Sequence, residues 1–353
     1  MTSPFASLLA TGTRLWLDSV DPELVPRHRD WGFTGATSNP VIISGIVRSG
    51  AYATRLRELM EGEPDNDAVA WQLTDQIVRQ AQQVFLDVWR ETGGNDGYVS
   101  FEVDPLLEDP ELAMRHGQRV ERYIELATRW AEGHDNRMIK IPATPAGIDA
   151  LEEVVARGVT VNVTLIFTQE QYERARDAVW RGAQRRPDLA RFKSVYSVFV
   201  SRLDSYTQAH VPELSEDAQG EVGILNAKRI WRANVEFWKQ HPTPLRQEIV
   251  FASTGTKRPE DPPWKYVVAL AGSDIQTNPP ATNEAVAAAD LEFERQVDQW
   301  PPDEVVREID RKVDRDRLLE VLMEEGIRKF ADPQKELLAE VGRQRSAMSG
   351  SGY

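Results

Sequence analysis

A lysine at position 140 sits in the run 137–144, RMIKIPAT, flanked by Met138, Ile139 and Ile141 and closed by Pro142. Such a run reads as a buried strand carrying one ammonium. An isolated buried charge must be paired or neutralised, and desolvation lowers an amine's pKa toward the range where the free base exists at neutral pH. A free amine in a dry pocket attacks carbonyl carbon. The competing reading is a lysine whose stem lies along a strand edge while its ammonium reaches water. The run alone does not separate the two.

Other polar residues sit inside or just after β-rich runs. Asp18 ends the first, Asn39 follows the second, and Glu102 lies near the end of the third. Asn162 and Thr164 alternate on the fifth and so share a face, as do Ser197 and Phe199 on the sixth. Arg202 lies just past the sixth run, Ser253 closes the seventh, and Lys257 follows in the loop STGTK. Each has a plain structural reading. Asp18 suits a turn or cap before Pro22, Asn39 a turn before Pro40, Glu102 an edge strand, Thr164 an ordinary strand position, and Arg202 with Asp204 a surface ion pair. What weighs against chance is that polar residues collect at six of the eight run ends, together with one buried lysine. A lysine nucleophile needs a carboxylate, because carbinolamine formation, dehydration and carbon–carbon cleavage each move a proton. Asp18 and Glu102 are the candidates. Asn39, Asn162, Thr164 and Ser197 suit a polyhydroxylated ligand; Arg202 and Lys257 suit a phosphate. The substrate so drawn is a phosphorylated sugar with a carbonyl group.

Positioning such a set requires a regular scaffold. Short β-rich runs recur at 14–18, 33–38, 98–103, 137–144, 159–167, 194–201, 248–253 and 265–270, with helical stretches between them at 22–30, 53–92, 111–133, 145–157 and 168–181. This alternation predicts an α/β fold, a single (β/α)8 TIM barrel, in which residues at the C-terminal ends of strands carry the chemistry. A doubly wound open sheet is the alternative, but no GxGxxG follows any strand. Residues 205–239 read as helices added after the sixth strand. The barrel, with that insertion, is expected over 1–300 as the catalytic domain. A charged helical extension packed on it is expected over 301–353, its last residues, 346–353, small, polar and frayed.

Composition narrows the function. With 353 residues, 41% hydrophobic and 28% charged, the chain has a large core and is not disordered. A net charge of -14 disfavours nucleic acid and acidic membrane surfaces as partners. The basic run 181–193, RGAQRRPDLARFK, reads as the solvated end of a helix. With no cysteine there are no thiolate nucleophiles or disulfides, and five histidines without ligand spacing offer no metal site. The ten tryptophans read as core. There is no signal-like start and no apolar run of membrane-spanning length, so a cytoplasmic protein is expected.

Seven motifs in order resemble the transaldolase family: WLDS at 16–19, ATSNP at 36–40, SFEVDP at 100–105, MIKIPAT at 138–144, VNVTLIF at 161–167, SVFVSRLD at 197–204 and FASTGTK at 251–257. The resemblance covers about residues 10–290. It implies a (β/α)8 barrel that moves a dihydroxyacetone unit between sedoheptulose 7-phosphate or fructose 6-phosphate and an aldose phosphate, in the pentose phosphate pathway, with no cofactor. By that resemblance, Lys140 forms the Schiff base, Asp18 exchanges a proton with the C4 hydroxyl, and Glu102 with Thr164 holds the catalytic water. Asn39 and Asn162 would contact the dihydroxyacetone moiety, Ser197 a hydroxyl, and Arg202 with Ser253 the distal phosphate. Phe199 matches the transferases, whereas the fructose-6-phosphate aldolase relatives carry tyrosine there. Two positions depart from the pattern: Phe101 stands where many members have threonine, and Gly255 where some have a phosphate-binding arginine, leaving Lys257 as the nearest cation. An aldolase of that kind and a sugar-phosphate-binding protein without turnover are the alternatives. A monomer or homodimer is expected.

Overall fold

The computed structural model describes residues 3–350. Eight parallel strands hydrogen-bond in chain order and close on themselves, β1 (Arg14–Leu17) pairing with both β2 (Gly35–Thr37) and β8 (Ile275–Asn278). Between them run β3 (Val99–Glu102), β4 (Arg137–Pro142), β5 (Val161–Ile166), β6 (Ser194–Phe199) and β7 (Glu248–Ala252). The protein is a single (β/α)8 barrel with surrounding helices.

The period of two along each strand divides the core. Ile139, Ile141, Val161, Val163, Tyr196, Val198, Ile249 and Phe251 join the cluster between strands and helices. Their neighbours face the barrel axis and form layers. Trp16, Tyr98, Met138, Val195, Val250 and Ile275 make an apolar floor layer. Gly35 is small because a Cβ there would lie 2.6 Å from the Tyr98 carbonyl and 2.7 Å from the Trp16 indole nitrogen. Two residues further along, the inward positions turn polar on five of these six strands, Ala252 being the exception, and there the site forms.

One strand lies elsewhere than the sequence suggests. Residues 265–270 fold as the helix Lys265–Ala269, and β8 is IQTN. KYVVAL buries Tyr266, Val267 and Leu270, a spacing that one helical face also satisfies. The true strand was hidden by polar side chains whose partners lie in other elements: Gln276 Nε2 donates to the Val267 carbonyl at 3.0 Å, and Thr254 Oγ1 donates to Asn278 Oδ1 at 2.6 Å, while Gln276 Oε1 and Asn278 Nδ2 have no hydrogen-bond partner among the described residues.

Within 205–239, the helix Val222–Gln240 packs on β6 and β7 and is the crossover that parallel pairing requires, while Ser201–His210 is additional. The chain then leaves the barrel for two more helices, Asp303–Lys312 and Arg315–Gly350. The second, at 36 residues, spans roughly 54 Å. It packs on Ser201–His210 near one end and on Pro40–Arg48 and Asn66–Glu91 near the other, and so crosses the mouth. Residues 346–350 continue this helix, and the rest of the expected frayed tail lies outside the described residues. Among the described residues, no helix is long and apolar enough to cross a membrane.

Candidate active site

At the C-terminal end of the barrel lies a cavity of about 160 Å³. Asp18, Asn39, Lys140, Thr164, Ser197, Phe199, Arg202, Ser253 and Lys257, from six strands or the loops after them, all line it. Lys140 is buried and inward-facing on β4, its Nζ donating to Glu102 Oε2 at 2.9 Å and to the Ser38 carbonyl at 3.0 Å. The ammonium therefore does not reach solvent along a strand edge. β3 and β4 pair with Glu102 opposite Lys140, so the sheet register itself aligns the acid with the amine. Burial pushes the Glu102 carboxyl up from its ordinary value, and the Lys140 charge opposes that shift.

Asp18, half-buried at the end of β1, accepts a hydrogen bond from Thr37 Oγ1 at 3.0 Å. Burial raises its pKa too, against Lys140, the Thr37 hydroxyl and Arg202. Two carboxyls with raised pKa values beside one amine are placed to exchange protons with it.

Asn162 and Ser197 belong to the layer below. Asn162 Nδ2 donates to Ser100 Oγ at 2.8 Å and Ser197 Oγ donates to Asn162 Oδ1 at 2.7 Å, a chain linking β3, β5 and β6. Ser197 lines the cavity; Asn162 and Glu102 do not. Thr164 presents a buried hydroxyl with no hydrogen-bond partner among the described residues. Its setting comes from a bulge in β5, where the register shifts between Val163 and Ile166 and Leu165 adopts φ 56°. Gln171 pins that bulge, donating to the Leu165 and Ala143 carbonyls and accepting from Phe167 N.

Asn39 has two functions. It caps the helix Pro40–Arg48, accepting from Ile42 N at 3.0 Å, as the turn reading expects, and it lines the cavity. On the opposite wall, Arg202 lies with its guanidinium 4.9 Å from the Phe199 ring centroid, and its Nη1 is buried without a hydrogen-bond partner among the described residues. Such a donor is costly unless a ligand satisfies it. Arg202 does not pair with Asp204, which instead accepts from Gly223 N at 2.8 Å and Tyr266 Oη at 2.7 Å. Ser253, at φ 55°, shares a 3.0 Å hydrogen bond with Ser201. Burial and the neighbouring Arg202 lower the Lys257 pKa.

Phe101 stands apart from the Lys140–Glu102 pair. It points outward, packing against Trp71 and Trp130 at 6.0 and 4.9 Å between centroids, with the Arg137 guanidinium 4.7 Å from its ring.

Sequence reasoning missed several lining residues: Thr37, Gly255, Thr277, Pro279 and, above all, Phe330. Lys140 Nζ lies 5.4 Å from the Phe330 ring centroid. Phe330 belongs to the long last helix, in the i+4 row Leu318, Leu322, Gly326, Phe330. That spacing marks a buried face without saying what it covers. A Cβ at Gly326 would sit 3.1 Å from Leu165 Cδ2 and 3.6 Å from Arg202 Nη1, so the row touches the bulge and the cation. No cluster of three or more His, Asp or Glu side chains suited to a metal occurs among the described residues.

A buried amine paired with a carboxylate at the mouth of a parallel barrel, faced by cations, is equipment suited to an enzyme that works on anionic carbonyl compounds. The chain belongs to the transaldolase/fructose-6-phosphate aldolase family, whose profile matches residues 15–341. Similar proteins include the transaldolases of Thermobifida fusca, 33% identical over 98% of this chain and 100% of that one, and of Mycolicibacterium paratuberculosis, 32% identical over 98% of each. The transaldolase of Acidothermus cellulolyticus is 33% identical over 81% of each chain.

Proposed function

We propose that this protein is a transaldolase, moving a dihydroxyacetone unit from a ketose phosphate to an aldose phosphate through an imine on Lys140. The observation that carries the reading is the buried Lys140, paired with Glu102 at 2.9 Å from behind and opening on the same cavity as Asp18, Arg202 and Lys257.

The amine gives a proton to its surroundings and attacks the donor's C2 carbonyl. Glu102, held on the amine, and the unpaired hydroxyl of Thr164 handle the water that leaves the carbinolamine and returns at hydrolysis. The protonated imine then draws the electrons of the C3–C4 bond, while Asp18 takes the C4 hydroxyl proton. The aldose phosphate departs, and the enamine waits for the acceptor. The steps reverse on a new aldehyde, with Asp18 returning its proton to that oxygen. Lysine itself supplies the electron sink, so the chemistry needs no cofactor. Asn39 and Ser197 orient the dihydroxyacetone part, with Asn162 holding Ser197 from beneath, and Arg202, Ser253 and Lys257 hold the distal phosphate. Lys257 stands in for the second cation absent at Gly255. The setting is the pentose phosphate pathway in the cytoplasm.

Borohydride reduction with fructose 6-phosphate, followed by peptide mass spectrometry, should leave a dihydroxyacetone adduct on Lys140; an unmodified Lys140 ends the imine reading. The aldolase reading is separated by assaying with and without erythrose 4-phosphate. Transfer requires the acceptor, and equal turnover without it would favour the aldolase.

A further inference from the structure

The basic run 181–193 divides in two. Arg181 and Arg185 are held by Glu152 and Glu153 at 2.7 to 3.3 Å, and Lys193 is buried against Glu248. Arg186 and Arg191 go elsewhere. With Arg90 they line a cavity of about 430 Å³ on the barrel face opposite the catalytic mouth, beside Tyr98, Asp135 and Thr160 just before β3, β4 and β5.

Charge there runs against the rest of the molecule. Three guanidinium groups meet one lining carboxylate, Asp135, in a chain of net charge -14. Asp135 engages Arg191 loosely, at 3.5 Å, and Arg90 reaches Asp87 at 3.3 Å. Arg186 has no ion pair within 4.0 Å among the described residues; its Nη2 makes one long bond, 3.4 Å, to the Gly158 carbonyl. Its Nη1 is buried and has no hydrogen-bond partner among the described residues. Burial lowers the Arg186 pKa, with only Asp188 acting against it. An uncompensated, partly buried guanidinium is unfavourable without an anion to complete it. Trp89 adds a flat wall, with the Arg191 guanidinium 5.6 Å from its ring centroid.

We infer that this cavity is a second anion site, in which Arg186 and Arg191 bind the phosphate group of a small molecule. The guanidinium fork matches phosphate oxygens in pairs, and the indole wall accepts the carbon skeleton attached to them. The site is independent of the reading given to the mouth.

Inorganic pyrophosphate is the probe, titrated calorimetrically into the full chain carrying Arg202→Gln so that the mouth contributes least. One equivalent should bind, with affinity falling as salt rises. Adding Arg186→Gln and Arg191→Gln should weaken it at least tenfold. Arg191→Glu alone, at an exposed position that folding tolerates, should do the same while leaving transferase turnover in the otherwise unaltered enzyme unchanged. Adenosine 5′-monophosphate binding more tightly than inorganic phosphate would support the role of the Trp89 wall. No pyrophosphate binding in the Arg202→Gln chain, or unaltered binding after Arg191→Glu, overturns the site.

Discussion

Lys140 and Glu102 illustrate how a residue's role depends on its layer. Both are inward positions, Lys140 two steps beyond Met138 and Glu102 two beyond Ser100, and each makes the other's burial tolerable. Replacing Glu102 by Gln keeps the shape and removes the proton acceptor. Turnover should fall by roughly 10²- to 10⁴-fold, the usual worth of a general acid–base group, while the fold survives. A loss below fivefold in steady-state assay would remove Glu102 from the proton path. Asp18 offers a pH test. Its pKa is raised by burial and held back by the Lys140 charge and the Thr37 hydroxyl, so the base form needed for cleavage appears at higher pH than in a free aspartate. Thr37→Val removes the donor and should move the acidic limb of the kcat/KM profile to still higher pH. That limb belongs to the coupled Asp18–Lys140–Glu102 set, so its shift, not its absolute position, is the readout. An unmoved limb would show that Asp18 does not govern it.

Among the elements, the last helix alters the picture most. Its i+4 row brings Phe330 over the amine and joins the apolar cluster of Phe167, Phe199 and Leu203. Phe330 thus covers the cavity above the amine, one helical turn from the Gly326 position that faces Arg202. Phe330→Ala should cost about 3–5 kcal/mol of stability if the site cannot collapse, read by denaturant unfolding. It should also raise hydrolysis of the bound dihydroxyacetone relative to transfer, measured as free dihydroxyacetone released per transfer event. Phe330→Leu should restore most of both. If Phe330→Ala leaves the partition between hydrolysis and transfer unchanged, the ring packs the helix and does nothing for the chemistry.

At the scale of the molecule, the barrel separates stability from activity. Its floor carries a buried charge network, Lys193 donating to Glu248 Oε2 at 2.5 Å, with Arg14 in contact with the same carboxylate and with Asp96 at 3.4 Å. Glu248→Gln would leave two cations facing each other with little compensation, a cost of roughly 3–5 kcal/mol, with turnover per folded molecule unchanged. The pH dependence follows from Lys193, whose pKa burial holds well below its ordinary value of 10.5. Without Glu248 the folded chain binds fewer protons than the unfolded one, so the variant should regain stability as pH rises toward 10.5. A deficit equal at pH 7 and pH 9.5 would contradict this.

Most of the barrel was legible because a parallel strand buried on both faces must be apolar, and seven of the eight strands are. Most of the mouth was legible for the converse reason: polar side chains at the ends of such strands are anomalous unless they serve a ligand. The eighth strand was not, because its polar residues find partners in other strands and loops, Thr277 with Thr37 and Asn278 with Thr254, which local pattern does not reveal. Nor was the outward turn of Phe101, set by the strand's pleat, or the cover that Phe330 provides. By itself the sequence determined which residues carry the amine, the acids and the cations, since those are properties of side-chain chemistry and spacing of two. Only the tertiary structure decided that Glu102 sits on Lys140, that Asn162 lies beneath the cavity, and that a helix more than 300 residues from the first strand closes the site. Those relations arise from strand register and helix packing, which join positions far apart in the chain.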